Sequence, residues 1–219
     1  METLNNIITV VNDFLWTYIL VIALIVLGIY FTIKTKFVQF RYFKEMFRLL
    51  GDGMGKDAKG DGKVSSFQAF CISTASRVGT GNIAGISIAI VGGGPGAIFW
   101  MWVVALIGSA SSFVESTLAQ IYKVRDGAAF RGGPAYYIEQ GLKNKKMAIL
   151  FSVLITISFA FVFNAVQSNT MTVAFHAAFG IDKFLMGIIL CALTTAVIFG
   201  GVQRIAKITE VIVPVFAVA

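Results

Sequence analysis

Long apolar runs constrain this chain more than any other feature of its sequence. The first run, Phe14–Ile33, has about 20 residues, which is enough for a helix to cross the hydrocarbon core of a bilayer. Because backbone groups in lipid must be satisfied internally, such runs form helices. The other runs are Ser65–Val91, Ala97–Ile121, Met147–Gly180, Phe184–Val202 and a sixth that begins near Ile208. The sequence therefore predicts a single all-α domain over residues 1–219, a bundle of membrane-spanning helices.

Composition supports a lipid environment and narrows the class of partner. The chain is 57% hydrophobic and only 13% charged, whereas soluble domains carry about 25% charged residues. The net charge of +7 comes from Lys and Arg residues that lie mainly between the apolar runs. Aromatic residues do not alternate with these basic residues as they do in single-strand-binding proteins. We therefore expect a lipid bilayer as the surroundings and no nucleic-acid partner.

The basic residues also predict the orientation of the chain. Eight Lys or Arg residues lie in the loop Lys34–Val64 and six in the loop Tyr122–Lys146, and Arg204 and Lys207 follow the fifth run. The opposite side of the membrane carries only Lys183. Since cytoplasmic loops are enriched in basic residues, these three loops are predicted to be cytoplasmic and the N-terminus to be outside.

The second apolar run contains an unusual segment, Ser76–Gly85, whose sequence is SRVGTGNIAG. Glycine is a poor helix former, so two glycines near the middle of a span predict a break. In transporters such a break directs the N-terminus of a half-helix toward a substrate carboxylate, and the exposed carbonyls hold Na⁺. The alternative is that Gly79, Gly81 and Gly85 form a small-residue face for close helix packing. Arg77 and Asn82, beside the glycines, favour the break.

Other polar residues inside the spans are also candidates for function. Arg77 and Glu115 are charged, and such residues within a membrane are usually paired or functional. A structural ion pair between them and a gating role are both open. In the fourth run, Asn164, Gln167 and Ser168 share one helix face by their spacing. That face lines a polar pathway or makes hydrogen bonds between helices.

Three motifs in the same order resemble the alanine or glycine:cation symporter family. They are Val78–Gly85 (VGTGNIAG), Gly93–Trp102 (GGPGAIFWMW) and Arg131–Glu139 (RGGPAYYIE). The resemblance covers essentially the whole chain. It implies the amino acid–polyamine–cation type of fold, the fold of the leucine transporter, with two inverted repeats of five helices. On that basis residues 14–33 are an extra N-terminal span, and residues 65–219 are the first repeat with its last helix truncated.

The resemblance also implies a function and a set of site residues. The expected activity is sodium-coupled symport of alanine or glycine across the cytoplasmic membrane, with Na⁺ as the coupling ion and no enzymatic reaction. The substrate would contact Thr80, Gly81, Asn82, Phe163 and Gln167, and its carboxylate would meet the amides near Gly81. The backbone carbonyls of Ala75 and Val78 would supply part of a sodium site.

Length is the departure from this family, whose chains are about twice as long. The sequence ends inside an apolar run, and half a helix cannot satisfy its backbone in a bilayer, so we expect a fragment that lacks a C-terminal half. The alternative function is therefore a truncated half that does not transport, or a membrane subunit that requires a partner chain. Self-assembly of two halves into a dimer is a further alternative.

Overall fold

The computed structural model describes residues 2–53, 64–127 and 129–218, and helices make up most of them. The helices are α1 (Glu2–Phe14), α2 (Val21–Lys34), α3 (Val38–Arg41), α4 (Phe43–Gly53), α5 (Ser66–Arg77), α6 (Ile86–Gly93), α7 (Gly96–Ile121), α8 (Pro134–Gly141), α9 (Lys145–Ile157), α10 (Asn164–Phe179), α11 (Lys183–Ile198) and α12 (Gly201–Val218). π-Helical stretches at Leu15–Leu20 and Ser158–Phe163 join α1 to α2 and α9 to α10, and a third, Gly81–Gly85, leads into α6. The all-α prediction needs one correction, because β1 (Val124–Asp126) and β2 (Ala129–Arg131) form a small antiparallel hairpin.

Three helices in the described part of the chain are long and apolar enough to cross a membrane. They are Thr3–Lys34 with 32 residues, Gly96–Ile121 with 26 and Lys145–Phe179 with 35. Each contains or closely matches a predicted run, although the first helix begins well before Phe14. A bent pair of helices adds a fourth candidate if the pair is counted as one span. The chain is therefore a multi-pass helical membrane protein.

The bent pair corrects the predicted ends of the fifth and sixth runs. We expected the fifth run to extend to Val202 and the sixth to begin near Ile208, but α11 ends at Ile198 and α12 already begins at Gly201. The axis turns by 115° between them, at a point where Gly201 has a φ of 69°. This left-handed conformation suits glycine, which has no Cβ. Arg204 and Lys207, which we assigned to a loop, consequently lie on α12.

The second predicted span is interrupted where its glycines occur. A capping box between Ser65 and Gln68 starts α5, because each side chain receives a hydrogen bond from the other residue's backbone N–H. The helix ends at Arg77, and Val78 is extended, with φ −87° and ψ 124°. Helical structure resumes within two residues and continues to Gly93. The predicted break is confirmed as a feature of the backbone.

Small residues bring the helices together. Gly28 of α2 is buried against α7, and a Cβ built on it would overlap Ile107 Cγ2 and lie 3.1 Å from the Ile107 carbonyl oxygen. The first predicted span therefore packs directly on the third predicted span. Fully enclosed side chains elsewhere are also small, such as Cys71 of α5 and Ala110 of α7. Close approach through small residues is the usual way in which membrane helices associate.

The two long predicted loops contain ordered elements. The first includes α3 and α4, while Lys56, Lys59 and Lys63 lie outside the described residues. The second includes the hairpin and α8, which is joined to it by Gly132 and Gly133. A Cβ on Gly132 would lie 2.6 Å from the Ala119 carbonyl oxygen, and Gly133 has a φ of 120°. The glycines of the Arg131–Glu139 motif thus allow this loop to pack against the end of α7.

Candidate functional site

The break after α5 redirects two backbone N–H groups away from the helix. The Gly79 N–H donates to Asn82 Oδ1 at 3.1 Å, and the Thr80 N–H donates to Gln167 Oε1 at 3.1 Å. In an uninterrupted α-helix these donors would bond the carbonyls of Ala75 and Ser76. The Ala75 carbonyl, one of the two predicted sodium ligands, therefore loses its regular helical donor.

The second predicted sodium ligand is in a similar position. The Val78 carbonyl would accept the Asn82 N–H in a regular helix, but that N–H bonds the Gly79 carbonyl at 3.0 Å. Asn82 thus closes a small local turn through both its side chain and its backbone. Carbonyl oxygens without helical donors at a mid-span break are the groups with which transporters coordinate Na⁺.

Gln167 connects the fourth predicted span to the break. Besides accepting from Thr80, its amide end lies so close to Gly79 that a Cβ there would overlap Nε2. Within the described residues, this contact brings together Thr80 and Gln167, two predicted substrate residues that are 87 positions apart. A glycine at position 79 is what permits the approach.

Two other polar side chains of that helix bond to their own backbone. The Asn164 amide donates to the Ala160 carbonyl at 3.1 Å, and the Thr170 hydroxyl donates to the Val166 carbonyl at 2.9 Å. Phe163 ends the π-helical stretch one turn before Gln167 and stacks on Phe159, with ring centroids 4.9 Å apart. Its side chain is 52% exposed in this structure. π-Helical stretches frequently occur at functional sites, and here two of them flank the contact between Thr80 and Gln167.

Arg77 and Glu115 line one open cavity of about 570 Å³ between α5 and α7. The ion pair that we considered between them is not formed in this structure, because Arg77 Nη2 donates to Ser112 Oγ at 3.0 Å. Ser112 lies one turn before Glu115 on α7, so the arginine reaches the nearer hydroxyl. The two charges therefore face the same polar space without direct contact.

Glu115 also acts on the loop beyond α7. Burial and the nearby Glu115 carboxylate raise the pKa of the Tyr137 hydroxyl above its usual range. Tyr137 belongs to α8, within the Arg131–Glu139 motif. Glu115 is thus near both the cavity and the helix that packs against the end of α7.

Sequence reasoning missed the contact between Gln68 and Glu210. Gln68 Nε2, in the first turn of α5, donates to Glu210 Oε2 of α12 at 2.9 Å. Cys71, one turn further along α5, is fully buried, as is Ala206 of α12 at 2% exposure. The sequence contained a signal of this contact, because Glu210 is an acidic residue at the start of the apolar run that begins near Ile208. The predicted loop, which ended near Ile208, hid this signal.

Long apolar helices and a polar break held by a second helix define a multi-pass membrane protein in which a polar contact joins two of the helices. The sequence agrees with this class of protein, because the sequence model of the sodium:alanine symporter family matches residues 1–219. The chain therefore belongs to the sodium:alanine symporter family.

Individual relatives agree with this assignment. The chain is 58% identical to the probable sodium/glutamine symporter GlnT of Bacillus subtilis strain 168, over 99% of this chain and 45% of that protein. It is 55% identical to the amino-acid carrier protein AlsT of the same organism, over 97% of this chain and 45% of AlsT. The sodium/alanine symporter AgcS of Methanococcus maripaludis is 37% identical, over 97% of this chain and 48% of AgcS. The chain thus spans slightly less than half the length of these curated relatives.

Proposed function

We propose that this chain forms the N-terminal half of a secondary transporter that couples Na⁺ entry to the uptake of a small neutral amino acid. One observation carries the proposal: the hydrogen bond from the Thr80 amide to Gln167 at a mid-span break. At that break, the N-terminus of a half-helix, polar side chains and carbonyls without helical donors lie next to one another. Alternating access around such a point is how transporters of this kind work.

The substrate site that we propose comprises Thr80, Gly81, Asn82, Phe163 and Gln167. The amides at the start of the half-helix carry partial positive charge and suit an amino-acid carboxylate. Gln167 holds the Thr80 amide in this structure, so a bound carboxylate would either replace its oxygen there or use the following amides. Phe163, one turn away, would supply an apolar wall for a small side chain.

The sodium site that we propose begins with the carbonyls of Ala75 and Val78. Both have lost the helical donors that would compete with a cation, as the hydrogen bonds of Gly79 and Asn82 indicate. Na⁺ is a hard cation that prefers oxygen ligands. Backbone that is not helical supplies them as neutral carbonyl oxygens, so no charged side chain is needed. Arg77 and Glu115, which share the neighbouring cavity, are proposed as structural or gating residues.

The architecture that we propose is the leucine-transporter-like one. Residues 14–33 would be the extra span, and residues 65–219 the first of two inverted five-helix repeats. The break in the first helix of that repeat supports this arrangement, since such folds form their sites from interrupted helices. We further propose that the N-terminus is outside and that the basic loops face the cytoplasm.

Two substrate classes follow from different observations. Alanine or glycine is expected from the family description, and AgcS is named a sodium/alanine symporter. Glutamine is the second candidate, because GlnT, which is 58% identical, is named a probable sodium/glutamine symporter. Competition of each amino acid with radiolabelled alanine would separate the two classes.

The decisive experiment measures uptake of labelled alanine into proteoliposomes with an imposed Na⁺ gradient. The liposomes would contain the 219-residue chain alone or together with the remaining length of GlnT as a separate polypeptide. Uptake that requires the gradient supports symport, and uptake that persists when K⁺ replaces Na⁺ contradicts sodium coupling. Uptake only in the two-chain sample supports the alternative that the chain requires a partner.

A further inference from the structure

Helix α4, between the first and second predicted spans, is strongly amphipathic. Phe43, Phe47 and Leu50 follow one another at the i, i+4 and i+7 positions of a helix, so they share a face. Lys44 and Arg48 lie on the other side. A helix of this composition needs a cover for its apolar face, although it lies outside the predicted spans.

The aromatic residues of this face are exposed in the structure. Phe43 and Phe47 are 60% and 62% exposed, and their rings pack edge to face with centroids 5.1 Å apart. Phe40, on the preceding helix α3, is equally exposed. Helix α4 packs against α5 elsewhere on its surface, so the phenyl rings form an apolar ridge that α5 leaves uncovered. We call Phe40, Phe43 and Phe47 the aromatic ridge.

The ridge lies close to the end of the first candidate membrane span. The spanning helix ends at Lys34, and the chain then turns through Lys36 and Phe37, which both have a φ of 54°. The ridge begins only a few residues after that span, and the second predicted span follows α4 in the sequence. Amphipathic helices with aromatic residues on one face and basic residues on the other lie at such interfaces.

The charges around the ridge indicate which surface covers it. Five basic residues and two acidic ones lie between Lys34 and Gly53: Lys34, Lys36, Arg41, Lys44, Arg48, Glu45 and Asp52. One of the acidic residues, Glu45, is paired with Arg48. Basic residues beside an apolar ridge favour negatively charged headgroups, because each Lys or Arg near an anionic membrane surface adds attraction.

We propose that α3 and α4 form an interfacial anchor, whose aromatic ridge enters the headgroup region and whose basic residues bind anionic lipid. The proposal requires only that the adjoining helices span a membrane. If the basic loops face the cytoplasm, as proposed above, this anchor lies in the cytoplasmic leaflet. A test in vesicles whose two leaflets have the same composition separates the anchor from the orientation. Lipid contact at α4 then does not depend on which way the chain is inserted.

The experiment uses nitroxide spin labels on the protein in reconstituted vesicles. Phe47→Cys carries the label on the ridge, and Glu45→Cys carries it on the opposite face of the same helix, both with Cys71 and Cys191 replaced. Collision with oxygen reports lipid exposure, and collision with a water-soluble nickel complex reports exposure to water. Vesicles contain phosphatidylcholine alone or an equal mixture with phosphatidylglycerol.

In the mixed vesicles, we expect the oxygen-to-nickel collision ratio at position 47 to be several-fold higher than at position 45. The difference should shrink in pure phosphatidylcholine. It should also shrink when Arg41→Gln and Lys44→Gln are combined. Nickel access at position 47 equal to that at 45 would overturn the anchor, as would a label at 47 shielded from both reagents, which indicates a protein cover. An unchanged ratio without phosphatidylglycerol would overturn the role of anionic lipid.

Discussion

Gly79 is a residue at which the broken span and the fourth predicted span come into close contact. Its lack of a side chain lets the Gln167 amide reach the Thr80 N–H. A side chain at position 79 would overlap the end of a flexible residue, so Gln167 would move and the backbone would stay. The contact can therefore be removed from either side without a change in fold.

We predict that Gly79→Ala weakens substrate affinity about fivefold by displacing Gln167 from Thr80, a loss of about 1 kcal/mol. KM for sodium-driven alanine uptake is the measurement. Gly85→Ala is the matched control, because a Cβ there meets no atom within 4 Å. An equal loss in Gly85→Ala would show that glycine flexibility, rather than the contact, is what matters.

Gln167→Leu should have a similar effect, because it leaves the Thr80 N–H without its acceptor. Thr170→Val is its control on the same helix, since the Thr170 hydroxyl bonds only its own backbone in the structure. Combining Gln167→Leu with Gly79→Ala should cost little more than either change alone. Additive losses in KM would mean that the two residues act independently.

At the scale of helices, two of the interfaces in the described structure differ in chemical character. The N-terminal span packs on α7 through Gly28, and the first half of the broken span packs on α12 through Gln68, Cys71 and Glu210. The first interface is apolar and tight, and the second contains a hydrogen bond to a carboxylate. They are consequently sensitive to different substitutions.

Gly28→Ala should destabilise the protein by about 1–3 kcal/mol, because the added methyl group overpacks the interface with Ile107. Thermal unfolding in detergent measures the loss, and Ile107→Ala in the same protein should restore part of it. Gly187→Ala serves as the control, since a Cβ there meets no atom within 4 Å. Equal destabilisation by Gly187→Ala would contradict a role for close packing at Gly28.

Glu210→Ala should loosen α5 from α12 and expose Cys71, which is fully buried in this structure. With Cys191 replaced by serine, we expect the rate of maleimide labelling at Cys71 to rise several-fold. Glu210→Gln keeps an acceptor for Gln68 and should label at the original rate. Acceleration in both variants would mean that the charge of Glu210, rather than the hydrogen bond, controls the labelling rate of Cys71.

At the scale of the whole molecule, orientation depends on where the basic residues lie. Arg204 and Lys207 belong to α12 rather than to a loop, so the predicted orientation rests on the two larger basic loops. Moving such a loop across the membrane is unfavourable, so these loops should dominate insertion.

Matched Lys→Cys substitutions test this orientation in cells that express the protein with Cys71 and Cys191 replaced. A membrane-impermeant maleimide should label Lys183→Cys from outside, and should label Lys44→Cys and Lys143→Cys only after permeabilisation. The reverse pattern would place the N-terminus in the cytoplasm. Labelling of all three sites in permeabilised cells serves as the control for accessibility.

The sequence by itself determined the features that depend on neighbouring residues. Apolar runs fixed the spanning helices, because a helix must satisfy its own backbone in lipid, and Gly79 and Gly81 marked the break. The motifs also placed the chain in its family. The helices in the polar loops were missed because their apolar residues, such as Phe43 and Phe47, are periodic but lie among many polar ones. The fifth run was predicted too long because apolar residues continue past the bend at Gly201.

Only the tertiary structure decided which residues meet. Helix spacing alone did not separate Asn164, Gln167 and Ser168, and only the family resemblance favoured Gln167, whose contact with Thr80 the structure shows. It likewise paired Gln68 with Glu210, 142 positions away, and Arg77 with Ser112 instead of Glu115. Such pairs depend on helix rotation and on the distance between axes, which small residues set by close packing. No local pattern in the sequence encodes either quantity.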